Sequence, residues 1–314
     1  MRVLLTGATG FAARHLVAHL VTVAPDAEIW GLVWSEDPAE TPPSVRRLTG
    51  DLALPSTLAP CIERARPDIV FHLAGATSVA SSWQHPEHSF QVNALGTLHL
   101  LEALRSAERA PVVVVATSAE IYGAVPVNQQ PIVEDVPMRP ISPYAASKAA
   151  QDLIAAQYHR GFSIPTVRLR LFPHTGPHRP PLFAASSFAQ QIARIERGID
   201  PPRLAVGNLD AVRDFTDVRD VARAYWLAAT LGFAGEAFNI CSGQGVAIRT
   251  VLDTLLSFST VEIEVEVDPT RLRASDIPRL VGDHGRFTAA TGWKPEIPLD
   301  QTLRDLLDGW REVV

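Results

Sequence analysis

The stretch Met1-Arg2-Val3-Leu4-Leu5-Thr6-Gly7-Ala8-Thr9-Gly10-Phe11-Ala12-Ala13 carries the decision about the fold. A short apolar run ends at Gly7, a second glycine follows at Gly10, and a helical pattern occupies residues 12–23. Glycine lets the backbone turn tightly and come close to a pyrophosphate, while a helix N-terminus offers unpaired N–H groups and the positive end of its dipole. Gly7, Thr9, Gly10, Phe11 and Ala12 are therefore expected to hold a dinucleotide, with small Ala13 letting the helix lie close to a sheet. A glycine turn without a ligand is spelled the same way, so the surroundings must separate the two.

Outward from this stretch, short runs rich in β-branched residues recur at 28–33, 68–73, 111–115 and 165–170. Runs this apolar suit strands covered on both faces. Helical patterns lie between them at 12–23, 86–105 and 144–158, and such alternation implies right-handed crossovers and a doubly wound parallel sheet. From Pro177 onward Pro180, Pro181, Pro201 and Pro202 break the rhythm and isolate a helix at 187–197. Ile263-Glu264-Val265-Glu266-Val267 alternates as a strand with one solvated face would, and 299–310 reads as a closing amphipathic helix. A helix at 217–231 and a strand at 236–241 look like returns to the main sheet. The expected architecture is a Rossmann-type α/β fold with a smaller C-terminal α/β substrate lobe. Residues 1–176 make the dinucleotide domain, which also receives about 214–245, and 177–314 make most of the lobe.

Bulk properties exclude several classes. Of 314 residues 46% are apolar and 20% charged, enough to bury a large core. The net charge of -6, with no basic runs, argues against nucleic acid or an anionic membrane as the principal partner. Cys61 and Cys241 belong to no metal-binding spacing, so no metal is expected and a reducing compartment is the simple reading. The first apolar run reaches glycine too early for a signal-peptide core, which points to the cytoplasm.

The chemistry-bearing pair is Tyr144 and Lys148, four apart and therefore on one helix face. A free phenol titrates at about 10, and a neighbouring ammonium favours the phenolate; the expectation is that Lys148 makes Tyr144 acidic enough to exchange the proton that accompanies hydride transfer. Ser118, in Ala116-Thr117-Ser118-Ala119-Glu120 at the end of a strand, would hydrogen-bond a carbonyl or alkoxide oxygen, although a capping serine is the other reading. Asp51, with Leu52 beside it, would sit by an adenine amino group or make a turn. Trp34 would stack on adenine or lie on the surface without a ligand. The end of the second strand reads Val33-Trp34-Ser35-Glu36, which leaves the choice between NADH and NADPH open.

With these pieces the chain resembles, from Met1 to about Leu299, the extended short-chain dehydrogenase/reductases that modify nucleotide sugars. The shared motifs are the glycine loop, Tyr144 and Lys148, His72-Leu73-Ala74-Gly75, Asn93 with Gly96-Thr97, and Gly176-Pro177. The resemblance implies a nicotinamide cofactor met by the glycine loop, Leu73, Ala74, Gly75, Thr117, Leu171 and Pro173, with Lys148 on its ribose. Pro173 stands where the family usually has asparagine, and proline has neither an N–H nor a side-chain amide to donate. Gly207-Asn208-Leu209-Asp210-Ala211-Val212-Arg213 and Leu272-Arg273-Ala274-Ser275-Asp276 look like motifs of members that handle GDP-mannose derivatives. There the resemblance implies Arg213 and Arg273 as clamps on the diphosphate, Asp276 on the nucleotide ribose, and Ser118, Glu120, Tyr144, His174 and Asn208 around the sugar.

Two activities share these motifs. Gly10-Phe11-Ala12-Ala13 is spelled approximately as in the group's reductases, whereas its 4,6-dehydratases typically carry glycine-glutamine-aspartate-glycine. The implied reaction is NAD(P)H-dependent reduction of the 4-keto group of GDP-4-keto-6-deoxy-D-mannose to GDP-D-rhamnose. Glu120 keeps GDP-mannose 4,6-dehydration open, since a carboxylate there would remove the C5 proton. A 4-epimerase and a cofactor-binding regulator without turnover are the remaining alternatives. The resemblance also implies a homodimer formed through the helices at 86–105 and 144–158, although Leu98, Leu101, Leu104, Leu153 and Ile154 would equally serve the chain's own core.

Overall fold

Apolar runs bounded by turns become parallel strands with helices on both faces. The computed structural model describes residues 1–34, 41–107, 110–271 and 277–314. The strands are β1 (Arg2–Thr6), β2 (Glu28–Val33), β3 (Val45–Thr49), β4 (Ile69–His72), β5 (Val112–Ser118), β6 (Thr166–Leu171), β7 (His174–Thr175), β8 (Arg203–Val206), β9 (Val212–Asp214), β10 (Thr216–Asp217), β11 (Ala237–Ile240), β12 (Gly245–Ala247), β13 (Glu264–Val267) and β14 (Arg279–Leu280). Seven of them form one sheet in the order β11-β6-β5-β4-β1-β2-β3, every pair parallel. The order reverses between β1 and β4, and that switch opens a crevice beyond the carboxyl ends of the strands.

The helices are α1 (Phe11–Val23), α2 (Leu58–Ala65), α3 (Val79–Gln84), α4 (Pro86–Ser89), α5 (Gly96–Ser106), α6 (Pro143–Phe162), α7 (Ala184–Glu196), α8 (Val218–Thr230), α9 (Ile248–Ser257), α10 (Gly285–Thr291) and α11 (Leu299–Val313). Successive side chains of a strand point to opposite faces, so Val3 and Leu5 join Leu16, Leu20 and Tyr225 under α1 and α8. Leu4 joins Ile62, Leu101 and Tyr158 under α2, α5 and α6 on the other face. A separate core, with Phe188, Ile192, Leu204, Leu252 and Leu306, holds α7, α9 and α11 against β8.

Two local expectations need correction, and one open alternative divides between its residues. The helix at 86–105 is interrupted: α4 and α5 flank a π-helical stretch, Phe90–Leu95, at which Asn93 is buried. Its side chain accepts from Ala76 N (2.9 Å) and donates to Ala76 O (3.1 Å) and Ser147 Oγ (2.9 Å), tying the loop after β4 to α6. Local π geometry of this kind recurs at functional sites. Strand β13 has both faces exposed, because its one partner is the short β8 and only Ile263 just before it packs on the lobe core. Of the helix leucines offered to either core or dimer, Leu101 and Leu104 are fully buried whereas Leu153 is 58% exposed.

Asp152, on α6, is fully buried between two arginines of β6. It accepts from Arg168 Nη1 at 2.9 Å and Arg170 Nε at 3.0 Å. Removing one partner of such a group strands the others in a medium that cannot solvate them. Asp152→Ala is expected to lower the unfolding free energy by about 3–5 kcal/mol, read from urea midpoints. A loss under about 1 kcal/mol would mean that water reaches the arginines.

Candidate active site

One cavity of about 1120 Å³ lies in the crevice, bounded by the carboxyl ends of the sheet strands and by the lobe. A dinucleotide needs a place for its pyrophosphate, and the first turn fits one. Gly7 has φ of +67°, and a Cβ there would stand 2.8 Å from Ala74 Cα, so only glycine lets the two loops touch. The first turn of α1 has no side-chain cap and no acidic residue, which leaves its N–H groups and dipole for an anion. Gly7, Thr9, Gly10, Phe11 and Ala12 all line the cavity, as do Trp34, Asp51, Leu52, Leu73, Ala74 and Gly75. Asp51 keeps its turn role as well, since its Oδ1 accepts from Ala53 N at 2.8 Å. Trp34 is 82% exposed, a free face at the rim. Ser35 and Glu36 lie outside the described residues.

Helix α6 starts at Pro143, capped by Ser142, whose Oγ accepts from Ala145 N at 3.1 Å. The cap fixes the first turn and so presents Tyr144 and Lys148 to the cavity together. Thr117, Ser118 and Glu120 reach it from the end of β5, where Ser118 also caps the turn Ala119–Tyr122 by accepting from Glu120 N at 3.2 Å. The capping reading of Ser118 is thus seen directly, and the same residue lines the cavity. Leu171, Pro173 and His174 line the wall after β6. The Pro173 carbonyl accepts from Thr216 N at 3.0 Å, which joins the sheet to the lobe. His174 stacks on Phe11, and burial pushes its imidazole down to about 3, so it is neutral.

The electrostatics of the pair depart from the expectation. Burial pushes the Tyr144 phenol up to about 12, opposed by hydrogen bonding to Ser118 and by the charge of Arg179 and reinforced by the charge of Glu120. Burial also pushes Lys148 down, to about 7. The lysine ammonium donates to Ala116 O (2.9 Å) and Gln151 Oε1 (2.8 Å). Desolvation is the largest influence on both groups and favours the neutral phenol.

From the lobe, Asn208 and Arg213 face the cavity. Arg213 Nη1 donates to Val212 O (3.0 Å) and Ile277 O (2.6 Å), which fixes its guanidinium at the wall. Arg273 and Asp276 lie outside the described residues. Sequence reasoning missed Arg179 and Tyr225, which also line the cavity. The Arg179 guanidinium lies 4.8 Å from the Phe11 ring centroid and 3.5 Å from that of Phe183. Its setting among Pro177, Pro180 and Pro181 offers no periodic signal. Among the described residues no His, Cys, Asp or Glu cluster is placed to hold a metal ion, and no helix is long and apolar enough to cross a membrane.

A family model described as GDP-mannose 4,6 dehydratase matches residues 4–306. The chain is 36% identical to GDP-6-deoxy-D-mannose reductase of Pseudomonas aeruginosa, with 100% of this chain and 98% of that protein covered. It is 28% identical to GDP-mannose 4,6-dehydratase of Yersinia enterocolitica, over 87% of this chain and 81% of that one. The solved structure of RMD from Pseudomonas aeruginosa complexed with NADPH aligns over 100% of both chains, with TM-score 0.88 and 35% identity. UDP-glucose 4-epimerase of Thermus thermophilus in complex with NAD also aligns over 100% of both, with TM-score 0.89 and 32% identity. Agreement along the whole length, in sequence and in backbone, makes this chain a member of the GDP-mannose 4,6-dehydratase family.

Proposed function

We propose that the chain reduces the 4-keto group of GDP-4-keto-6-deoxy-D-mannose to GDP-D-rhamnose, using NADPH or NADH. The observation that carries this reading is the wall of one cavity on which Ser118, Tyr144 and Lys148 stand together with the glycine loop. Similarity along the full length to a GDP-6-deoxy-D-mannose reductase supports the substrate class, and a neighbour complexed with NADPH supports the cofactor class.

The reduced nicotinamide, when bound, supplies a hydride. The protein's part is to place and protonate. The glycine loop and the first turn of α1 hold the pyrophosphate, and Lys148 meets the ribose. Ser118 donates to the carbonyl oxygen as negative charge grows on it. Tyr144 then gives its proton to that oxygen. A phenol kept in its acid form suits this direction, because a C4 alkoxide is the stronger base. Dehydration and epimerisation begin instead by removing a proton from a C4 hydroxyl, which calls for the phenolate. Glu120 on the same wall favours the dehydratase as the second reading.

Purified protein is expected to oxidise NADPH or NADH when given GDP-4-keto-6-deoxy-D-mannose, and NMR of the product to show rhamnose stereochemistry. Loss of water from GDP-mannose alone would establish the dehydratase instead, and no nucleotide oxidation with either cofactor would remove the reductase. Tyr144→Phe should lower kcat by about 10²–10⁴-fold with little change in ligand dissociation constants measured by calorimetry. An unchanged kcat would take Tyr144 out of the chemistry.

The assembly proposed is a homodimer through α5 and α6. Leu153 on α6 is 58% exposed, and Phe90 and Leu95 of the adjoining π-helical stretch are 39% and 45% exposed. Exposed apolar groups on packed helices are candidates for a contact surface. Sedimentation should show a dimer that Leu153→Arg converts to monomer; a wild-type monomer at micromolar concentration would refute it.

A further inference from the structure

Lys148 is almost fully buried, yet its two hydrogen-bond acceptors are neutral: the Ala116 carbonyl and the Gln151 side chain. The chain's 28 basic residues include only two lysines, Lys148 and exposed Lys294. Arginine keeps its charge everywhere in a protein, whereas a buried lysine changes protonation readily. Of the two lysines, Lys148 is the one that lines the cavity.

What sets the orientation of Gln151 can be followed proton by proton. The Thr97 hydroxyl has one hydrogen, donated to Asn93 O at 2.6 Å. Towards its other neighbours it can only accept, from Gln151 Nε2 at 2.9 Å and His72 Nε2 at 2.8 Å. Burial pushes His72 down to about 3, so the ring is neutral and its Nδ1 is bare. That nitrogen accepts from Thr6 Oγ1 at 2.7 Å, and Thr6 Oγ1 accepts in turn from Ala74 N at 3.2 Å. Every donor has an acceptor, and the amide of Gln151 is left with one orientation: NH₂ to Thr97, oxygen to Lys148.

We propose that Gln151 is a positioning residue for Lys148, whose carbonyl, locked by Thr97, His72 and Thr6, fixes the lysine nitrogen at the cavity wall without supplying a countercharge. The same chain begins at the residue before Gly7, so the phosphate loop and the lysine share one rigid support. Other titratable groups leave the lysine unpaired. His72 faces it from the end of β4 in neutral form, and Tyr144 lies one turn away on α6 as a phenol. Asp152, next along α6, is turned to Arg168 and Arg170. The charge of Glu120 acts on Tyr144, and β5 contributes a backbone carbonyl to the lysine. Burial without a countercharge accounts for the lysine's descent to about 7.

The proposal rests on the reading of Lys148 as the residue that meets the cofactor, but its test needs neither cofactor nor turnover. Protein labelled with ε-¹³C-lysine gives two resonances, with Lys294 as the internal reference. In ligand-free wild type Lys148 should titrate near the value of about 7. Gln151→Glu places a carboxylate beside the ammonium and should raise the midpoint by roughly 1–3 units. Gln151→Met removes an acceptor from the charged form and should lower it. Thr97→Val removes the acceptor of Gln151 Nε2 without contacting the lysine itself and should shift the midpoint in the direction that Gln151→Met does. Loss of packing alone cannot move the Glu and Met variants in opposite directions. An unchanged midpoint in Gln151→Met and Thr97→Val, or shifts of one sign in both Gln151 variants, would overturn the proposal. Should Gln151→Glu fail to fold, the two other variants decide. The reductase reading fails separately, on absent nucleotide oxidation.

Discussion

A lysine buried against neutral acceptors is the constraint that organises the carboxyl edge of this sheet. An ammonium taken out of water is costly unless its protons are placed, and the placement here reaches back through Gln151, Thr97 and His72 to Thr6. Gly75 must remain small beside it, since a Cβ there would lie 3.3 Å from Lys148 Nζ and 2.9 Å from Asn93 Oδ1. Asn93 in turn holds Ala76 and Ser147. The ends of β1, β4 and β5 are therefore fixed relative to one another by hydrogen bonds that serve one side chain. Networks of this kind are rigid when complete and costly when broken, which suits a site that must hold a sugar and a ring in contact.

The sheet was legible because its strands are covered on both faces. Val112-Val113-Val114-Val115 has no alternation, and nothing but a doubly covered strand accommodates it. The crossover helices followed from 3.6-residue patterns, and the strand read at 236–241 was recognisable as a return to the sheet because Ala237-Phe238-Asn239-Ile240 is short and mostly apolar. The lobe was less legible. Strands of two or three residues such as β9, β12 and β14 owe their form to each other's backbone, and no hydrophobic period can appear in so few positions. The π-helical stretch at Phe90–Leu95 was also hidden, because its cause is the side chain of Asn93 bonding to a loop distant in sequence.

In the candidate site the residues could be named but their electrostatic balance could not. The spacing of Tyr144 and Lys148 says that they share a helix face; it does not say how deeply either is desolvated. Burial is a property of the assembled cavity, and it moves both groups towards their neutral forms, against the expectation of an acidified phenol. Gln151 escaped notice for a related reason. A glutamine on a helix reads as solvated surface, and only packing against α5 and the π-helical stretch makes its amide a fully buried, oriented pair of groups.

For the proposed reduction, the proton inventory of this wall matters as well as the identity of its side chains. Both chemistries use a serine, a tyrosine and a lysine on this wall, and the fold hosts either. What differs is whether the first proton movement is out of the phenol or into it. With Ser118 bonded to the ring oxygen and Glu120 nearby, a phenolate would form against a neighbouring negative charge and without water to solvate it. A carbonyl oxygen that has just received a hydride faces no such obstacle, since proton transfer from the phenol quenches a stronger base and puts the remaining charge where Ser118 can donate to it. Burial of the Tyr144 hydroxyl is therefore compatible with the proton delivery that the proposed reduction requires.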